Sequence, residues 1–250
     1  MVLYRYKLVV SYDGTNYAGW QAQPDGNGIV QIMGASFGRA FGTDARLTGA
    51  SRTDAGVHSL GQTVLLETPL ELEPDVLMRV WNDALPPSVV IRLCTWADEG
   101  FHPRRNVISK TYWYHFFTER PLPFAVRYGW YCRRPIDLDT LQTVLDGFVG
   151  THDFRALCKI RDVRGTTVRS ISSIDLEFVE QFGAYRISVT GHSFMRHMVR
   201  RVVGAALAVA TRQDMPAGYP IEVLRAGDPN NTLPKAPAHG LLLYKIRYQE

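Results

Sequence analysis

The chain has 250 residues, 46% hydrophobic and 21% charged. That length supports a sizeable core, in one large domain or two lobes, and that composition is ordinary globular, so disorder is not expected. Lysine and arginine outnumber aspartate and glutamate by 28 to 24, a net charge of +4 that points only weakly to nucleic acid until its distribution is considered. The cysteines, Cys94, Cys132 and Cys158, are odd in number and lie far apart, which argues against a disulfide framework or a zinc ribbon and suits a reducing cytoplasm. The start, MVLYRYKLVV, lacks the basic-then-apolar pattern of a signal peptide. The small-apolar run VVGAALAVA (202–210) is far shorter than the roughly 20 residues of a membrane span. A soluble cytoplasmic protein is expected.

Residues 3–12 alternate, with Tyr4, Tyr6, Leu8, Val10 and Tyr12 on one face, which predicts a strand. A loop rich in glycine, asparagine and proline follows, DGTNYAGWQAQPDGNG. Ile29, Met33, Phe37 and Phe41 then recur every four residues, as on one side of a helix. GASRTDAGVH is neither helix nor plain strand, and QTVLLET (62–68) reads as a strand. PDVLMRVWNDAL (74–85) opens on proline and carries a helical stripe, and SVVIRLCTW (88–96) reads as a strand.

SKTYWYHFF (109–117) and RYGWYCR (127–133) are predicted strands. Asp137 is placed to cap a helix with the stripe Leu138, Leu141, Val144, Leu145 and Phe148, closed by Gly150. VRSISSIDLEFVE and AYRISVTG form a hairpin turning at Gln181–Gly183. FMRHMVRRVVGAALAVA (194–210) is a predicted helix and LLLYKIRY (241–248) a closing strand. Strands without strict βαβ alternation favour α+β with largely antiparallel sheet. The pattern breaks near 98–108, and two lobes are expected, 1–104 and 105–250.

Within GASRTDAGVHSLGQ (49–62), Gly49, Ala50, Ala55, Gly56 and Gly61 clear side chains from around Arg52 and Asp54. A surface ion pair in a turn needs no such clearance; a reactive carboxylate approached by a substrate does. A nucleophilic carboxylate must be ionised, and an adjacent guanidinium favours the charged form. HSFMRHMVRR (192–201) holds three arginines and two histidines with no acid. At helical spacing Arg196 and Arg200 share a side, and Arg200 runs into the apolar stripe, so it is a candidate partner for a carboxylate or a side chain that snorkels to solvent. His192 and His197 lack the spacing and the glutamate of a zinc helix, so no metal is expected. On the aromatic strand, one exposed ring in a cleft would stack a nucleobase. RALCKIRDVRGTTVR (155–169) sets five basic residues against Asp162 and, with Arg133–Arg134, suits a phosphate backbone. No Gly-rich dinucleotide or Walker motif is present.

YDGTNYAGWQAQP, SRTDAGVHSLGQ, FHPRRNVISKTYWY, SFMRHMVRRVVG and HGLLLYKIRY occur in the order found in the TruA-type tRNA pseudouridine synthases, and the chain resembles that family over nearly its full length. Ser51 stands where the family usually has glycine, and Gly240–Leu243 is more aliphatic than usual. The resemblance implies isomerisation of uridine to pseudouridine at positions 38, 39 and 40 in the anticodon stem-loop of tRNA, on a flipped-out nucleotide. It makes Asp54 the nucleophile and gives Arg52 the task of displacing and holding that nucleotide. It implies that Tyr112 stacks on the uracil and Arg200 pairs with Asp54. It implies a pseudouridine synthase fold of two α/β lobes sharing a largely antiparallel sheet with a central basic cleft, a homodimer acting on tRNA, no cofactor and no metal.

Two other functions use some of the same features. A non-catalytic RNA-binding protein would use the basic clusters without the clearance at Asp54. A carboxylate hydrolase acting on a glycoside or nucleoside would need a second acid near Asp54, and the flanking sequence supplies none.

Overall fold

The computed structural model describes residues 2–159, 165–212 and 215–249. Its strands are β1 (Tyr4–Tyr12), β2 (Arg46–Gly49), β3 (His58–Thr68), β4 (Val89–Trp96), β5 (Val107–Phe117), β6 (Trp130–Tyr131), β7 (Gly150–Asp153), β8 (Val168–Val179), β9 (Ala184–Gly191) and β10 (Leu241–Tyr248). The α-helices are α1 (Ile29–Phe41), α2 (Pro74–Ala84), α3 (Leu138–Asp146), α4 (Met198–Ala210) and α5 (Tyr219–Ala226). The chain forms two compact units: Met1–Ile108 with Leu243–Glu250, and Ser109–Leu242. The division expected from sequence, 1–104 and 105–250, keeps the closing strand with the second part; in the structure, β10 from Leu243 onward belongs to the first unit, where it lies beside β3.

In the first unit, β1 runs antiparallel to both β3 and β4, and β2 pairs antiparallel with β3. The expected face of β1 is the buried one: Tyr6, Leu8, Val10 and Tyr12 join Ile29, Met33 and Phe37 of α1 and Leu77 and Trp81 of α2 in one core. Trp81 meets Phe37 edge-on, centroids 4.9 Å apart, and its indole N–H donates to the Ser36 hydroxyl at 2.9 Å, so the one polar atom of a fully buried ring is satisfied. The register of β1 against β3 shifts between Val10 and Tyr12, where the strand gives way to the 13–28 loop.

In the second unit, β5 pairs antiparallel with β9, β9 with β8 and β8 with β7, while two-residue β6 runs parallel to β5. α3 packs on α4. Asp137 caps α3 as expected: its Oδ1 accepts from the N–H groups of Asp139 and Thr140, each at 3.1 Å. The helix stops at Asp146 rather than at Gly150; Gly147 follows it and packs against Ile221 of α5, a helix the sequence pattern did not announce, and Phe148 is fully buried. RYGWYCR is not a continuous strand. A 3-10 turn at Val126–Tyr128 precedes β6, and Gly129 between them has the Phe117 ring where a side chain would be. The predicted hairpin is β8–β9, turned by Gly183 at φ 59°. No helix among the described residues is long and apolar enough to cross a membrane.

Candidate active site

The Arg52–Asp54 segment lies in the first unit, between β2 and β3. The ladder of β2 on β3 continues one residue past Gly49, with Ala50 N–H donating to the Thr63 carbonyl at 2.9 Å. At Ser51 the partner becomes a side chain. The Gln62 Oε1 accepts the Ser51 N–H at 3.0 Å, and its Nε2 donates to the Ser51 carbonyl at 2.6 Å. Burial then alternates: Ser51 and Thr53 are buried, Arg52 is exposed and Asp54 is half-buried. Ser51 and Thr53 are thus held inward, while Arg52 and Asp54 keep accessible surface.

The loop after β1 braces this segment. Trp20 N–H donates to the Thr53 carbonyl at 3.2 Å, Gly56 N–H to the Tyr17 carbonyl at 3.2 Å, and the Tyr12 and Thr53 hydroxyls share a buried hydrogen bond of 2.8 Å. Gly19, at φ +93°, lets the loop lie backbone-to-backbone on the segment: a Cβ there would overlap the Thr53 carbonyl and sit 2.9 Å from the Asp54 carbonyl carbon. Just beyond the turn, the buried His58 Nδ1 lies 3.0 Å from Gly14 N and 3.1 Å from an Asp13 carboxylate oxygen. The neutral ring accepts from the first; the protonated ring donates to the second.

The clearance read from the small residues is partly filled by the protein itself. The space at Gly49 is taken by the Trp20 indole, and that at Gly61 by the backbone of Tyr244. The approach to Asp54 that glycine makes possible is that of Gly19, from the loop after β1.

Arg104 also reaches the root of this segment. Its Nε donates to the Gly49 carbonyl at 2.9 Å. Burial, and then the nearby charge of Arg52, push its guanidinium pKa below the ordinary arginine value.

Tyr112 and Arg200 lie in the second unit, on β5 and α4. Tyr112 is buried and meets Phe194 edge-on, centroids 5.4 Å apart. Tyr114 is fully buried, and its hydroxyl donates to the Pro237 carbonyl at 3.1 Å. Burial drives its pKa well above the ordinary tyrosine value. Arg200 does not snorkel to solvent. It is 8% exposed, and its Nε donates to the Ala236 carbonyl at 2.8 Å, while Ala236 N–H donates to the Arg200 carbonyl at 2.9 Å. Arg196 does not share its helix face: α4 begins at Met198, after His197 turns the chain at φ 68°. Lys159 N–H donates to the Arg196 carbonyl at 3.1 Å. Of the basic run 155–169, Arg161, Asp162 and Arg164 lie outside the described residues.

The supporting groups Tyr12, Trp20, Gln62 and Arg104 were not assigned site roles from the sequence. Tyr12 and Gln62 read as ordinary strand residues. The signal for the brace was the glycine of YAGW, which the spacing alone could not match to a partner.

A model of the family described as tRNA pseudouridine synthase matches residues 8–102 and 145–249, parts of both units. The chain is 34% identical over 243 residues to a protein of Geotalea daltonii named tRNA pseudouridine synthase A, covering 97% of this chain and 98% of that one. It is 35% identical to the protein of that name from Geotalea uraniireducens over 247 residues, covering 97% and 98%. It is 33% identical to that of Brevibacillus brevis over 246 residues, covering 98% and 99%. The chain belongs to the tRNA pseudouridine synthase family. It is an isomerase, and its reaction is the conversion of uridine to pseudouridine in tRNA.

Proposed function

We propose that Asp54 is the nucleophile of this isomerisation and that the uridines converted are those at positions 38, 39 and 40 of the anticodon stem-loop. The observation that carries the nucleophile is the alternation at residues 51–54: Ser51 and Thr53 are anchored and buried, Arg52 is exposed and Asp54 half-buried. A carboxylate on a rigidly held backbone beside an exposed guanidinium suits covalent attack on a bound nucleotide.

The reaction breaks the bond from the ribose C1′ to N1 of the base and forms one from C1′ to C5. The C5 hydrogen leaves as a proton and N1 gains one, so no electrons are gained or lost. A base within a stem is unreachable until it is extruded, at a cost of about a few kcal/mol. Phosphate contacts and stacking on an aromatic ring offset that cost. Arg52, exposed and adjacent to the nucleophile, is placed to hold the extruded nucleotide. The resemblance further proposes Tyr112 as the ring for the uracil and Arg200 as a cation of the reaction. It also proposes a cytoplasmic homodimer; light scattering of the free protein tests the dimer.

Tritium release from tRNA transcripts labelled at C5 of uridine tests the nucleophile. Asp54→Ala is expected to abolish release while retaining most of the affinity for tRNA. Near-normal release would remove Asp54 from the role. Mapping pseudouridine along the transcript tests the positions, and product confined to other arms of the tRNA would refute them. Tyr112→Phe and Arg200→Met, assayed in the same way, test those two residues.

A further inference from the structure

Asp54 lies between two peptide groups that are both held. The Thr53 carbonyl accepts the Trp20 N–H, and the Asp54 carbonyl accepts the Val57 N–H at 3.1 Å. A peptide group is planar, so holding its carbonyl holds the whole group. The first group carries the Asp54 nitrogen and the second its carbonyl carbon, so the Asp54 Cα is fixed from both sides.

The side chain of Thr53 adds a third restraint. Its hydroxyl is 2.8 Å from that of Tyr12, in a buried contact between residues 41 apart in sequence. Tyr12 ends β1, is 4% exposed, and stacks on Trp20 with centroids 6.3 Å apart. Trp20 thus holds the Thr53 carbonyl and packs against the tyrosine that holds the Thr53 hydroxyl. Valine and phenylalanine would fill much the same volume without two hydroxyls to desolvate. What the hydroxyl pair adds is direction.

We infer that Tyr12 and Thr53 are a positioning pair for Asp54, their hydrogen bond setting the orientation of the carboxylate through the Thr53–Asp54 peptide. The inference rests on the reading of Asp54 as nucleophile.

Single-turnover tritium release, the Kd for tRNA and the melting temperature are measured for Thr53→Val, Thr53→Ser, Tyr12→Phe and the double variant Thr53→Val with Tyr12→Phe. Thr53→Val and Tyr12→Phe should each slow turnover about 10- to 100-fold, the scale of a misplaced reacting group. The tRNA Kd should stay within about twofold. Thr53→Ser, which keeps the hydroxyl, should recover to within about threefold of the parent. The double variant should be no slower than the slower single one, because both remove the same contact. A role in stability alone would lower melting temperature without this rate pattern. Full-rate Thr53→Val and Tyr12→Phe would overturn the inference, as would a rate loss matched by weaker tRNA binding or one that serine fails to rescue. Asp54→Ala is assayed alongside. If it turns over, the nucleophile reading fails and the pair has nothing to position; if it is inactive while the pair variants are fast, only the present inference fails.

Discussion

The side chain of Gln62 holds both backbone polar groups of Ser51, accepting from its N–H at 3.0 Å and donating to its carbonyl at 2.6 Å. Gln62 is fully buried. Its amide satisfies both backbone groups of Ser51 where the chain leaves β2, so the chain departs the sheet without leaving those groups unmatched.

Gln62→Leu takes these hydrogen bonds from a buried N–H and a buried carbonyl. Buried groups left without a partner cost about 1–3 kcal/mol each. Urea unfolding should show a loss of roughly 2–6 kcal/mol by that reckoning, with turnover falling as well. A change within experimental error would mean that another group takes over the Ser51 backbone.

Gly19→Ala is expected to be far worse than an ordinary loop substitution. Its φ of +93° is unfavourable for alanine, and the methyl would overlap the Thr53 carbonyl. Strain of this kind costs on the order of 1–3 kcal/mol. The relief available is displacement of the Thr53–Asp54 backbone, so turnover should fall further than tRNA affinity. A variant with parental stability and rate would contradict the close packing of the loop on the segment.

Arg52 is exposed, so its contribution to tRNA binding is read best from salt dependence. Each phosphate neutralised contributes a slope of about 0.7–0.9 in log affinity against log salt. If Arg52 contacts a phosphate of the extruded nucleotide, Arg52→Gln should weaken binding and flatten the slope by about that amount. An unchanged slope would assign Arg52 to the base or the sugar.

Acid stability of the second unit should depend on Asp137 and Asp153. The hydrogen bonds of Thr140, side chain and then backbone, lower the Asp137 pKa. The Thr167 side chain, and then the Arg155 N–H and charge, lower that of Asp153 against a smaller desolvation effect. A carboxyl with a depressed folded pKa binds fewer protons folded than unfolded. Its stabilisation is therefore complete above the unfolded value, near 3.9, and is lost as pH falls through the folded one. Melting temperature followed downward from pH 5 should decline, and Asp137→Asn, still able to cap but unable to titrate, should decline less steeply. Parallel curves would rule out this cap as a source of acid sensitivity.

Periodicity was enough wherever structure is local. The four-residue spacing of Ile29, Met33, Phe37 and Phe41 marks α1, and the alternation from Tyr4 to Tyr12 marks β1 with the correct buried face. It fails at some element ends and in the shortest strands. The start of α4 was placed at 194 because a basic segment continues the helical spacing, yet His197 at φ 68° delays the helix to Met198. α3 ends at Asp146, short of Gly150, with Gly147 packed against Ile221 of α5. β2 and β7 were missed because four residues give too little alternation to see.

The sequence by itself determined the alternation of strand and helix and the family resemblance from which Asp54 is proposed, because side-chain periodicity and motif order are properties of neighbouring residues. Only the tertiary structure decided what Asp54 stands on. Tyr12 meets Thr53 across 41 residues and Gln62 meets Ser51 across 11, and the small residues thought to admit a substrate partly admit Trp20 and β10 instead. Which hydroxyl, amide or ring fills a given space depends on how separate segments pack, and a linear pattern carries no coordinate for that.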